Sequence, residues 1–287
     1  MRPLVLASFL FPFLLHAQGT PKALLWRIQG PGLARSSYLA GTMHSRDSRA
    51  FTHAGPMLDA IDSCDVVAGE LDLSALGADA ERLRTKLFMP PGTGLADLLP
   101  KRKLKRVDAA LKEELGAMKG MFARFRPIYL AMMLSEKAQR ADSALVLDQY
   151  LQERAQRSGR EVMGIESAEE QLAAIDALPL QEQADMLYRT VREEFHRKGT
   201  DPLLLAYEAQ DLDRLLALTR TNDRAGQLLE HTLIDSRNRV MAQRMADLMA
   251  GGRACLFAIG AAHLPGGTGV IALLREKGYR VEPVVAP

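Results

Sequence analysis

The chain has 287 residues, with 37 Lys+Arg against 35 Asp+Glu, a formal charge of +2 and 47% hydrophobic side chains. That balance suits a folded globular protein and excludes a disordered one, and so small a cationic excess gives no basis for a dedicated DNA or RNA module. Cys64 and Cys255 are too few for a disulfide scaffold and lack the paired CxxC spacing of a structural zinc site.

Residues 1–19 carry Arg2, an apolar stretch over 3–15 and the small residues Ala17 and Gly19, the three-part layout of a secretory signal peptide. The apolar stretch is shorter than the roughly 20 residues a membrane-spanning helix needs, and no later segment is long and apolar enough either. The expectation is therefore cleavage near Gly19, a periplasmic or secreted product, and no stable membrane span. In an oxidising compartment Cys64 and Cys255 can pair or can serve as two small buried hydrophobes; their positions in the sequence decide nothing.

Short apolar runs of β-compatible residues at 37–41, 65–71, 160–165 and 254–260, bounded by turn residues, predict buried strands. Between them lie two mainly helical stretches. One covers about 79–158 and is broken at Pro90-Pro91-Gly92 and at Pro127; the other covers about 168–250. No linker or fixed-period repeat divides the chain. The expected architecture is a single α/β domain over 20–287, a central sheet with a large helical insertion in the middle. The basic run from Lys101 to Arg106 reads as a solvated helix face.

Each predicted strand ends beside a side chain with chemical potential. The first closes as Gly41-Thr42-Met43-His44, the second as Gly69-Glu70, the third as Gly164-Ile165-Glu166, and the fourth as Gly260-Ala261-Ala262-His263. In open α/β sheets, sites form outside the carboxyl ends of the strands. Two imidazoles and two carboxylates suit a divalent ion such as manganese, cobalt or zinc, which would supply a metal-bound hydroxide. They equally suit metal-free acid–base work by a His whose tautomer a carboxylate fixes. No G-x-S-x-G elbow and no H-E-x-x-H helix is present.

A helix predicted over about 223–250 adds a second clue. Leu229, Leu233, Met241, Met245 and Met249 recur at multiples of four, and the non-apolar member of that row is Arg237, with Asn238 beside it. Its guanidinium either snorkels to water over its methylenes or reaches a carboxylate of the site or a substrate oxyanion. After His263 the glycine-rich segment 264–270 leads into a helix at 270–276. It reads as a tight turn, with oxyanion binding at the helix start as the functional alternative.

Several segments together, Tyr38 to His44, Val66 to Asp72, Gly164-Ile165-Glu166 followed by Glu170-Gln171-Leu172, Arg237-Asn238, Ile259 to Gly266, and the ending Leu274 to Val281, resemble the TraB/GumN family, which includes TIKI-like metalloproteases. The likeness runs from Leu25 to the end in motif order. It implies an α/β fold with both G-x-x-H motifs in one site, His44, Glu70, Glu166 and His263 as catalytic and metal-binding residues, and Arg237 and Asn238 assisting. Where many bacterial members carry a Pro-Trp pair, this chain has Pro127-Ile128. The expected function is an exported, metal-dependent hydrolase acting on a peptide or small acyl substrate. The alternative is a non-catalytic binding or regulatory protein that sequesters a secreted peptide or partner.

Overall fold

The computed structural model describes residues 21–30, 32–75, 77, 83–138, 140–193, 201–220, 227–228 and 230–284. The expected signal peptide at 1–19 lies outside the described residues. The fold is α/β, built on one six-stranded sheet. Its strands are β1 (Leu25–Gln29), β2 (Ser37–Thr42), β3 (Val66–Gly69), β4 (Glu161–Gly164), β5 (Cys255–Gly260) and β6 (Arg280–Pro283), in the spatial order β4-β3-β5-β2-β1-β6. β4, β3, β5 and β2 are mutually parallel, so their carboxyl ends share one edge; β1 is antiparallel to both β2 and β6.

The four parallel strands coincide with the four apolar runs of the sequence. Val66, Val67 and Ala68 of β3 and Leu256 to Ile259 of β5 are buried on both faces, which is why they read as unbroken apolar runs rather than as alternation. β1 and β6 are strands that the sequence reading does not contain. Their signal is alternation over very few residues: Trp26 and Ile28 are buried around exposed Arg27, and Val281 is buried between exposed Arg280 and Glu282.

Helix α1 (Ala54–Ser63) links β2 to β3. Between β3 and β4 come α2 (Lys101–Leu115), α3 (Pro127–Ala138) and α4 (Leu147–Arg157). Between β4 and β5 come α5 (Ala168–Asp176), α6 (Leu180–Glu193), α7 (Pro202–Glu208), α8 (Leu212–Thr219) and α9 (Ser236–Ala250), and α10 (Val270–Glu276) precedes β6. The sheet carries the main core. A separate apolar cluster joins Val107, Leu111 and Leu115 of α2 to Leu130 and Leu134 of α3 and Leu187 and Val191 of α6. The basic run lies on α2: Lys103 Nζ meets Asp185 Oδ1 at 2.7 Å and sits over the Tyr188 ring, clamping α2 to α6. Among the described residues no helix is long and apolar enough to cross a membrane.

The predicted helix over 223–250 is helical without interruption from Glu230 to Ala250, but its winding changes on the way. A π-helical turn, His231–Asp235, precedes α9, and residues 221–226 and 229 lie outside the described residues. Because that turn is wider than an α-turn, the row of four-residue spacing does not serve one core. Met241, Met245 and Met249 enter the sheet core, whereas Leu233 packs in a small cluster with Ile128, Ile175 and Leu178. Ile128, at the position of the Pro-Trp departure, is thus a buried member of the layer beneath the π-turn. Cys64 and Cys255 are buried free thiols, and burial pushes them up to about 12 and about 11.

β3 and β4 end at register partners Gly69 and Gly164. A methyl group at Gly164 would stand 2.7 Å from the Glu166 carbonyl oxygen and 2.8 Å from the Asp72 nitrogen, both backbone atoms that cannot step aside cheaply. Gly164→Ala is expected to cost about 1–3 kcal/mol in urea unfolding; an unchanged midpoint would mean that the backbone around Gly164 gives way to a methyl group.

Candidate functional site

The ladder between β3 and β4 continues past the two glycines. Ile165 N–H donates to Gly69 O and Glu166 N–H donates to Glu70 O, each at 2.8 Å. Glu70 and Glu166 therefore leave neighbouring strands side by side at the carboxyl edge. The turn after Glu70 is tied down by Gln152 of α4, whose Nε2 donates to Leu71 O at 2.7 Å while its Oε1 accepts from Leu73 N at 3.0 Å.

Arg237, in the first turn of α9, reaches both carboxylates. Its Nε donates to Glu166 Oε1 at 3.0 Å, and Nη2 donates to Glu166 Oε2 and to Glu70 Oε2, each at 2.6 Å. Nη1 donates to Leu233 O at 3.1 Å, a carbonyl of the π-turn. Gln171 of α5 adds its Nε2 between the same two oxygens, at 3.1 Å from Glu70 and 3.3 Å from Glu166. The side chains of Glu166, Arg237 and Glu70 are 4%, 16% and 24% exposed, so the cluster is mostly withdrawn from water and its charge-assisted bonds are little screened.

β5 contributes from the other side. Gly260 N–H donates to Glu70 Oε1 at 2.8 Å. His263 follows three residues later and is buried, with Nδ1 2.6 Å from Asn238 Oδ1. Asn238 Nδ2 is itself committed to Thr268 O at 2.9 Å, which fixes the amide with its oxygen toward the ring. His263 accordingly donates from Nδ1 and, when neutral, carries its lone pair on Nε2, 3.8 Å from Glu70 Oε1. The glycine-rich segment after His263 closes as a turn, Gly269 N–H donating to Gly266 O at 3.1 Å.

The electrostatics separate the two partners. Burial opposes the charge on Glu70, but attraction to His263 and Arg237 and the Gly260 N–H outweigh it and hold the carboxyl below the usual carboxylate range. Burial pushes the His263 ring below the usual imidazole value, against a partial pull from Glu70. Near neutrality the pair is an ionised Glu70 held by Arg237 facing a neutral imidazole.

His44 stands apart. It lies at the same edge, because Thr42 of β2 pairs with Gly260 of β5, but its side chain is 75% exposed and its Nδ1 is 3.7 Å from Asp148 Oδ2. The Asp148 carboxylate raises the His44 pKa, with burial opposing and Glu136 and Glu70 adding to the rise. The structure thus gathers Glu70, Glu166, Arg237, Asn238 and His263 into one cluster and leaves His44 beside it. Asp148 and Gln152 have no sequence signal of their own, being polar positions on an ordinary amphipathic helix, and Gln171 enters the sequence reading only through the family likeness.

Imidazole nitrogen and carboxylate oxygen are the right donors for manganese, cobalt or zinc, but the residues as arranged do not fit a metal centre. Arg237 already supplies the cation between Glu70 and Glu166, and His44 is turned to Asp148. Among the described residues no three His, Cys, Asp or Glu side chains converge closely enough to hold an ion.

A sequence profile of the TraB/PrgY/gumN family matches residues 24–283. The chain belongs to that family. Among curated relatives, Metalloprotease TIKI2 of Danio rerio is 26% identical over 93% of this chain and 62% of its own length. A Metalloprotease TIKI homolog of Nematostella vectensis is 26% identical over 96% of the chain and 70% of its own length. Metalloprotease TIKI1 of Homo sapiens is 25% identical over 92% and 62%. The chain therefore spans roughly two thirds of these relatives. No solved structure matches.

Removing the shared cation leaves two adjacent buried carboxylates, so Arg237→Met is expected to cost about 3–5 kcal/mol in urea unfolding. The triple variant Glu70→Gln/Glu166→Gln/Arg237→Met should recover much of that loss. A second expectation follows from His263. Its folded-state pKa is lowered, so the unfolded chain binds the extra proton, and stability is full above about pH 6.5 and falls as pH drops below it. Melting temperature should decline between pH 7 and pH 5 more steeply for the wild type than for His263→Gln; parallel curves would contradict the buried neutral ring.

Proposed function

We propose that this TraB/PrgY/gumN family member is an exported hydrolase of peptide or other acyl bonds, acting through His263, Glu70 and Arg237. The observation that carries the reading is the state of His263. Its Nδ1–H is fixed on Asn238, burial keeps the ring neutral, and its Nε2 lone pair faces an ionised Glu70 at 3.8 Å. A neutral imidazole of this kind takes the proton of an attacking water, and the facing carboxylate stabilises the imidazolium that forms. Arg237 and Gln171 hold Glu70 and Glu166 in place, so the carboxylate does not have to reorganise when the charge appears. Glu70, at 24%, is the more exposed of the cluster's two carboxylates, and His44 stands exposed beside the cluster, so substrate approaches from their side.

The relatives' names support proteolysis and add a metal; by donor chemistry the candidates are manganese, cobalt and zinc. No step is assigned to an ion, because Arg237 occupies the carboxylates it would need. Export is supported by the layout of residues 1–19.

The test is hydrolysis of a peptide library by the purified chain, with a chelator and with manganese, cobalt or zinc added singly, alongside metal analysis. Cleavage that survives the chelator and drops by at least about 100-fold in His263→Ala is the expected result. Absence of cleavage under every condition overturns the reading in favour of a binding or regulatory protein. Bound metal with ion-stimulated cleavage would show instead that the cluster rearranges around an ion.

A further inference from the structure

The half-buried carboxylate of Asp148 lies outside the cluster described above, and one of its two oxygens is unexplained by the fold. Asp148 is in the first turn of α4, where the helix N-terminus favours a negative charge. Its Oδ1 accepts from Thr42 Oγ1 at 2.5 Å across 106 residues of sequence, a bond that ties the end of β2 to α4. That accounts for one oxygen. Oδ2 is buried with no hydrogen-bond partner, and a buried acceptor left in that condition is costly. What faces it is the His44 ring, with Nδ1 at 3.7 Å. This separation is longer than a hydrogen bond, and the His44 side chain that would have to close it is exposed.

The other G-x-x-H histidine has the same device in completed form. His263 Nδ1 is held by Asn238 Oδ1 of α9, and the Asn238 amide is in turn held by Thr268 O. Each imidazole therefore has an acceptor on a flanking helix for Nδ1, and each acceptor is oriented by a second hydrogen bond. We propose that Asp148 is a positioning residue for His44: Thr42 fixes Oδ1, Oδ2 is reserved for the ring's Nδ1–H, and Nε2 is thereby left as the nitrogen that meets substrate. The geometry stands by itself; its service to turnover rests on the hydrolase reading above.

The test uses Asp148→Asn, which keeps an oxygen for Thr42 and removes the charge facing His44, with Thr42→Val as the control for the strand-to-helix tie. In histidine-15N-labelled protein, the neutral His44 ring is expected to be the Nδ1–H tautomer in the wild type and to shift toward Nε2–H in Asp148→Asn, with melting temperature unchanged. On a cleaved peptide, kcat of Asp148→Asn is expected to fall about 10- to 100-fold with KM little altered. Thr42→Val is expected to lower stability and to give an intermediate loss of kcat. Identical His44 nitrogen shifts in the wild type and Asp148→Asn overturn the assignment, as does an Asp148→Asn protein that differs only in melting temperature. The tautomer measurement needs no activity, so a chain that cleaves nothing refutes the hydrolase reading while leaving the Asp148–His44 pair to be decided by its spectrum.

Discussion

One guanidinium between two carboxylates on adjacent parallel strands is the constraint on which the carboxyl edge depends. Glu70 and Glu166 are side by side because the β3–β4 ladder runs on past its two glycines, and two withdrawn negative charges at that spacing repel unless a cation divides them. Arg237 suits the position because its planar fork serves Glu166 through two nitrogens while the outer nitrogen also reaches Glu70. An ammonium, as a point charge, has no such shape. The helix that carries Arg237 is set at the correct height by the π-turn before it, whose Leu233 carbonyl takes the remaining nitrogen. Fold and site share this contact: it joins β3, β4 and α9, and it holds the charge that His263 faces.

Much of this was legible in the sequence, for identifiable physical reasons. Parallel strands buried on both faces give unbroken apolar runs, so β2 to β5 announce themselves, and a chemical side chain directly after such a run must sit at the sheet's carboxyl edge. Arg237 was visible as a cation in an apolar row, although the row left open whether it reached water or a carboxylate. β1 and β6 were not visible because four or five alternating residues carry too little signal. The change of winding ahead of α9 was hidden for a different reason: a π-turn preserves apolar character while changing the angle between successive residues, so a spacing of four continues on paper after it has stopped meaning one face. The standing of His44 depends on Asp148, a hundred residues away on an otherwise ordinary helix, and single-sequence spacing cannot carry a contact of that range.

The curated relatives are named metalloproteases, whereas the donor geometry of this chain is that of a cluster already neutralised from within. The two meet at the histidines. Each has its Nδ1 side engaged or faced by an oxygen on a helix, His263 by Asn238 and His44 by Asp148, and an imidazole oriented through Nδ1 in this way suits a proton acceptor and a metal ligand alike. What distinguishes the two uses is the position of Arg237. So long as its fork spans both glutamates, those oxygens are spent on hydrogen bonds.

The strand order also sets when the carboxyl edge comes into being. β5 lies between β3 and β2 and pairs with both, so the strand that leads to Glu70 and the strand that leads to His44 are not joined into one sheet until a segment near the far end of the chain bridges them, and β1 waits longer still for β6. Contacts closed over such long loops form late, because the chain entropy of closure comes before their reward. While the chain is still being synthesised the carboxyl edge is therefore incomplete, and its assembly has to wait for the last quarter of the polypeptide, which carries Arg237, β5 and His263.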